Sequence, residues 1–144
     1  MDSQEKKRML KKYQTSEAEE RRLRREILRW RSKAEKMTSV IKAVPGGGGD
    51  GRSLENSVEA IQAVEEELEA QIKNSIRLRR RICAAIDQMD DDRCKQLLKL
   101  KYIDGYSWSE VAEIMDISER GATKMHGRAL AKIDLSSLQF PYLL

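Results

Sequence analysis

From Leu23 the apolar positions Ile27, Trp30, Ala34, Met37, Ile41 and Val44 step by four and three residues in turn, a heptad seam that predicts one long amphipathic helix. Glu17, Glu19 and Glu20 crowd its first turn, where the helix dipole favours negative charge, and Thr15 or Ser16 supplies the cap. Ahead of it, residues 1–15 are polar and basic with only Met9, Leu10 and Tyr13 as apolar anchors, and they read as a flexible arm. Pro45 ends the seam, and Pro45 to Arg52 (PGGGGDGR) holds no regular structure. Ser53 then caps a second helix, with Leu54, Val58, Ile61, Val64, Leu68, Ile72, Ile76, Ile82, Ile86 and Met89 marking its buried side.

The glycine stretch fits either a domain linker or the tip of a hairpin, and charge decides between them. If the helices fold back antiparallel, residue i stands opposite roughly 97 − i, with Val44 placed against Ser53. Arg29, Arg31 and Lys33 then lie beside Glu65, Glu66, Glu67 and Glu69, and Glu17, Glu19 and Glu20 beside Arg77, Arg79, Arg80 and Arg81. A register shifted by a whole block would oppose like charges, so residues 16–89 read as an antiparallel, coiled-coil-like hairpin. Exposed pairs contribute only a few tenths of a kcal/mol each, so charge selects the register and the apolar seam holds it. The Arg77–Arg81 run also suits a flank that touches phosphate.

Beyond the hairpin the pattern shortens. Asp90, Asp91 and Asp92 open a helix with Cys94, Leu97, Leu98 and Tyr102 on its inner face. Ser107 caps the next, about two turns long, with Val111, Ala112 and Met115 at helical spacing and Glu110 completing a capping box. Asp116 stands where a tight turn wants a left-handed backbone, Ile117 returns to the core, and Ser118 caps a longer helix with Ala122, Met125, Ala129 and Ile133 as its stripe. The other face of that helix carries Glu119, Arg120, Thr123, Lys124 and Arg128. Two helices joined this way, the second polar and basic on its free face, are the pattern of a helix-turn-helix whose second helix enters a major groove. The bland alternative is a pair of amphipathic helices with a solvated face. Residues 135–144 end in Leu138, Phe140, Tyr142, Leu143 and Leu144 around Pro141, an apolar tail either tucked against the domain or docked on a partner.

Tyr102 to Trp108 (YIDGYSW), Glu110-Val111-Ala112, Ile117-Ser118 and Arg128-Ala129-Leu130 together resemble region four of bacterial sigma factors, which reads the upstream promoter element. The whole layout, including Trp30 to Thr38 (WRSKAEKMT), is similar to small sigma-like regulators of phages and prophages. The resemblance implies an all-α fold with a long N-terminal helical hairpin and a three-helix helix-turn-helix domain at 90–134. It implies base reading by Glu119, Arg120, Thr123 and Lys124, and backbone contacts at Ser107, Trp108 and Arg128. Double-stranded DNA and bacterial RNA polymerase are the implied partners, with a homodimer through the hairpin as a further expectation. Asp116 departs from the frequent turn glycine, and Gly121 and Gly127 interrupt the recognition helix, each costing about 1 kcal/mol against alanine.

Composition narrows the classes that remain. Charged residues make up 36% and aromatics 5% of the 144, which with scarce alternating β-branched runs points to an all-α protein. The net charge of +4 is uneven: residues 1–44 hold 14 basic against 7 acidic side chains, 45–92 hold 6 against 11, and 93–144 hold 8 against 6. Cys83 and Cys94 have no metal-site spacing and suggest a reducing cytosol. No apolar run reaches the length of a membrane span, and the resemblance implies a cytoplasmic, nucleoid-associated protein of a bacterial host cell. His126 has no Asp or Cys at catalytic spacing, and the glycine run lacks the Lys-Ser or Lys-Thr of a phosphate loop. No catalytic residue, metal, cofactor or small-molecule substrate is expected. Two other classes stay open: a phage DNA-packaging small subunit, which also joins a helix-turn-helix to coiled-coil helices, and a helical polymerase adaptor that does not read DNA.

Overall fold

Caps and breakers divide the chain into helices. The computed structural model describes residues 1–43 and 51–139, 87% of them helical and none in a strand. Helix α1 spans Ser3–Ala43 and α2 spans Gly51–Asp87. Then follow α3 (Asp92–Leu98), a π-helical turn (Lys99–Ile103), α4 (Trp108–Met115), α5 (Glu119–Lys132) and a 3-10 turn (Ser136–Gln139). Val44, most of the expected glycine tip, and Phe140 to Leu144 of the apolar tail lie outside the described residues. Contacts divide the chain into two compact units, one of residues 17–73 and one that joins residues 1–16 to 74–144.

Within the 17–73 unit, α1 and α2 run antiparallel. Arg31 Nη2 meets Glu65 Oε1 at 2.9 Å, one residue from the register expected from charge, and Ser57 Oγ reaches Met37 Sδ at 3.6 Å. Leu23, Ile27 and Val64 form its small core, with Trp30 and Leu68 packed against them. The α2 seam differs from the expected one at two places: Val58 and Ile76 are exposed, while Ser57 and, in the other unit, Ser75 are buried. A hydroxyl is tolerated there because it is satisfied. Ser57 Oγ donates to the Ser53 carbonyl at 3.0 Å, and Ser75 and Ser16 hydrogen-bond each other. Glu17 and Glu19 bridge Arg21 and Arg22 on their own helix.

The 1–16/74–144 unit corrects the reading of residues 1–15 as a flexible arm. Helix α1 begins at Ser3, and Leu10 and Tyr13 are buried at 0% and 8% exposure in one cluster with Leu78, Ile82, Ile86, Leu97, Tyr102, Val111 and Ala129. Asp2 and Glu5 cap its start reciprocally, each backbone N–H meeting the other's carboxylate at 3.1 and 2.8 Å. Polar bonds then pin the helix to the C-terminal core. Lys6 Nζ donates to the Leu130 carbonyl at 2.6 Å, and Gln14 Nε2 to the Lys101 carbonyl at 2.7 Å. At the other end of the core, Asp91 caps α3 by accepting from Arg93 and Cys94 N–H, and Lys132 at the end of α5 reaches its second oxygen at 3.1 Å. Those backbone N–H groups, with the lysine behind them, hold the Asp91 carboxyl down at about 2. In the tail, Leu135 and Leu138 tuck into the same cluster.

Candidate nucleic-acid interface

Helices α3, α4 and α5 pack as a tri-helical unit in which each bend has a local cause. The π turn lets the Asp104 N–H bond back to the Lys99 carbonyl at 2.9 Å, and Gly105 follows at φ 79°, a backbone glycine adopts without strain. Ser107 then caps α4, accepting from the Glu110 N–H at 3.2 Å while its hydroxyl donates to Glu110 Oε1 at 3.0 Å. The turn between the helices rests on Asp116, whose φ 56° and ψ 48° are left-handed. Its N–H and that of Ile117 close on the Glu113 and Ala112 carbonyls. Ser118 Oγ accepts from the Gly121 N–H at 2.9 Å and starts α5. Gly121 is small for a reason, since a Cβ there would stand 3.1 Å from that capping hydroxyl.

The inner face of α5 is Ala122, His126, Ala129 and Leu130, all buried. Sequence reasoning assigned Met125 to this stripe, but it is only partly buried against the core, and His126 takes the inner position. His126 Nε2 lies 2.7 Å from the Tyr102 hydroxyl, and its ring centroid is 4.6 Å from the Trp108 ring. Burial, and then the charges of Lys7, Lys101 and Lys11, push its pKa down to about 4, so the neutral imidazole is the native form. Burial also pushes the Tyr102 hydroxyl up to about 12, which keeps it protonated beside that imidazole. No spacing rule marks such a trio in the sequence, because its members come from the π turn, α4 and α5.

The outer face carries the residues expected to meet DNA. Glu119, Arg120, Thr123, Lys124 and Arg128 are all exposed, and neither Arg120, Lys124 nor Arg128 joins an ion pair among the described residues. Thr123 Oγ1 donates to the Glu119 carbonyl at 2.9 Å, which leaves its methyl and lone pairs outward. Unpaired guanidinium and ammonium groups on an exposed helix are the donors that guanine N7 and O6 and phosphate oxygens accept. The two expected backbone contacts on α4 are placed differently from each other. Ser107 is exposed but its hydroxyl is committed to Glu110, and Trp108 is half-buried with Lys101 Nζ 4.8 Å over its ring.

Of the arginine run, Arg77, Arg79 and Arg80 are exposed, whereas Leu78 between them is a core residue. No group of His, Cys, Asp or Glu among the described residues is arranged to hold a metal ion, and no described helix is long and apolar enough to cross a membrane. No curated protein and no solved structure matches the chain. The family model described as sigma-70, region 4 matches residues 79–133, which run from the end of α2 through α5, and over that segment the chain is similar to a sigma-type helix-turn-helix.

Proposed function

We propose that the protein is a sequence-specific, sigma-like transcription regulator that reads double-stranded promoter DNA with α5 and acts with bacterial RNA polymerase. The observation that carries this is the outer face of α5, where Arg120, Lys124 and Arg128 are exposed and in no ion pair among the described residues, inside a segment that matches sigma-70, region 4. Arg120 and Lys124 donate to base acceptors, Glu119 accepts from an amino group, and Thr123 offers its methyl to a thymine. Arg128 meets phosphate one turn further on, and Ser107 and Trp108 bring the start of α4 against the backbone. The similarity of the layout to small phage and prophage regulators directs the reading to genes of that kind.

Selection from a random duplex library, followed by anisotropy titration of the selected site, tests the proposal. Arg120→Ala should weaken binding to the selected site about 5- to 150-fold, corresponding to about 1–3 kcal/mol at its own base pair, while random duplex is nearly unaffected. An unselected library, or an Arg120→Ala variant with the affinity of the parent on the selected site, overturns it.

A further inference from the structure

Residues 3–16 lie outside the sigma-matching segment, yet they are built into its core, and this brings a second group of cations to the helix-turn-helix. Lys7 and Lys11 are one turn apart on α1 and share a face with Gln14, whose side chain donates to the Lys101 carbonyl at 2.7 Å. Leu10 and Tyr13, buried in the core, fix the rotation of the helix. Lys6, next to Lys7, ties the same turn to the Leu130 carbonyl of α5 at 2.6 Å. Lys101 itself lies over Trp108, the first residue of α4. Three ammonium groups therefore converge where α1, the π turn and α4 meet.

None of the three is in an ion pair among the described residues. Burial first, and then Lys11, disfavour the charge on Lys101, while Glu110, whose carboxylate already accepts the Ser107 hydroxyl, favours it. Packing thus sets like charges near one another, and no ion pair among the described residues neutralises them. An anion row would neutralise them, and duplex DNA presents one negative charge per about 1.7 Å of its axis.

We propose that Lys7, Lys11 and Lys101 form a ridge that grips the phosphodiester backbone beside the helix-turn-helix, so that the first turns of α1 belong to the DNA interface. The proposal rests on the reading of α5 as the base-reading helix and adds to it a sequence-independent clamp from outside the matched segment. Lysine suits the task, since a flexible point charge follows a backbone without demanding a base.

The test uses the full chain as Lys7→Gln/Lys11→Gln, with Lys7→Arg/Lys11→Arg as the charge-keeping control, and thermal melts to show that both fold. Binding to the selected duplex and to random duplex is titrated between about 50 and 200 mM salt. The glutamine pair should lower the slope of log Kobs against log salt by about 1.8, weaken both duplexes by the same factor of about tenfold or more, and leave their ratio unchanged. The arginine pair should keep the parental slope. Parental slope and affinity in the glutamine pair overturn the ridge and leave its charge to an acidic protein surface. Arg120→Ala, measured alongside, separates the two readings. Loss of preference there with an unchanged slope in the glutamine pair rejects the ridge alone, and no change in either variant rejects both.

Discussion

Acid should loosen the helix-turn-helix through His126. The side chain is 6% exposed, its Nε2 is hydrogen-bonded with the Tyr102 hydroxyl, and its pKa stands at about 4 against an ordinary 6.5. The fold therefore holds the imidazole neutral, whereas the unfolded chain takes up a proton as pH falls below 6.5. The stability this residue contributes is present above pH 6.5 and is lost as pH falls from there towards 4. At about 1.4 kcal/mol per pH unit the full loss is about 3 kcal/mol, most of it above pH 4.5. Asp91, held at about 2, destabilises the fold only at lower pH, so the two windows separate. Urea unfolding followed by Trp108 fluorescence in a Trp30→Phe background would measure it at pH 7.5, 6 and 4.5. His126→Gln keeps an acceptor for Tyr102 but does not titrate. The parent should lose about 2 to 3 kcal/mol between pH 7.5 and 4.5, and the variant should stay nearly flat. Parallel curves for the two proteins would refute the assignment.

Three further outcomes follow from the packing. Leu10→Ala should cost about 2–5 kcal/mol in the same unfolding assay, because a fully buried leucine is deleted from the core, whereas a solvated arm would tolerate the change. Asp116→Gly should raise stability by up to about 1 kcal/mol, since its left-handed backbone suits glycine, and a fall would show that the aspartate side chain holds the turn. Gly127→Ala meets nothing within 4 Å and should stabilise α5 by up to about 1 kcal/mol in thermal melts. If Gly127 lets a sugar-phosphate strand approach closely, the same variant should also bind DNA more weakly.

The C-terminal helices were readable because their signals are local. Ser107, Ser118 and Asp116 each act within four residues of themselves, and their caps and turn lie where the spacing puts them. The seam of α2 was readable only in part. Counting apolar residues selects Val58 and Ile76, but the buried line passes through Ser57 and Ser75, whose hydroxyls are satisfied by partners the local sequence does not name. Residues 1–15 were misread for a related reason. Leu10 and Tyr13 sit among five lysines and arginines, and the apolar surface they fill is supplied by residues from 78 onward. Of the candidate site, the outer face of α5 was legible from its periodicity, whereas Lys7 and Lys11 were not, since only the docking of α1 brings them near Lys101.

That same docking sets an order of events during synthesis. Residues 1–16 leave the ribosome before the rest of their unit, and the groove that receives Leu10 and Tyr13 is complete only when Leu135 and Leu138 have been added. At about 5–20 residues per second the opening turns of the chain wait on the order of ten seconds with two apolar side chains uncovered. Within this unit the segment made first is thus the final strut to be seated, and its dense charge keeps it dissolved in the interval.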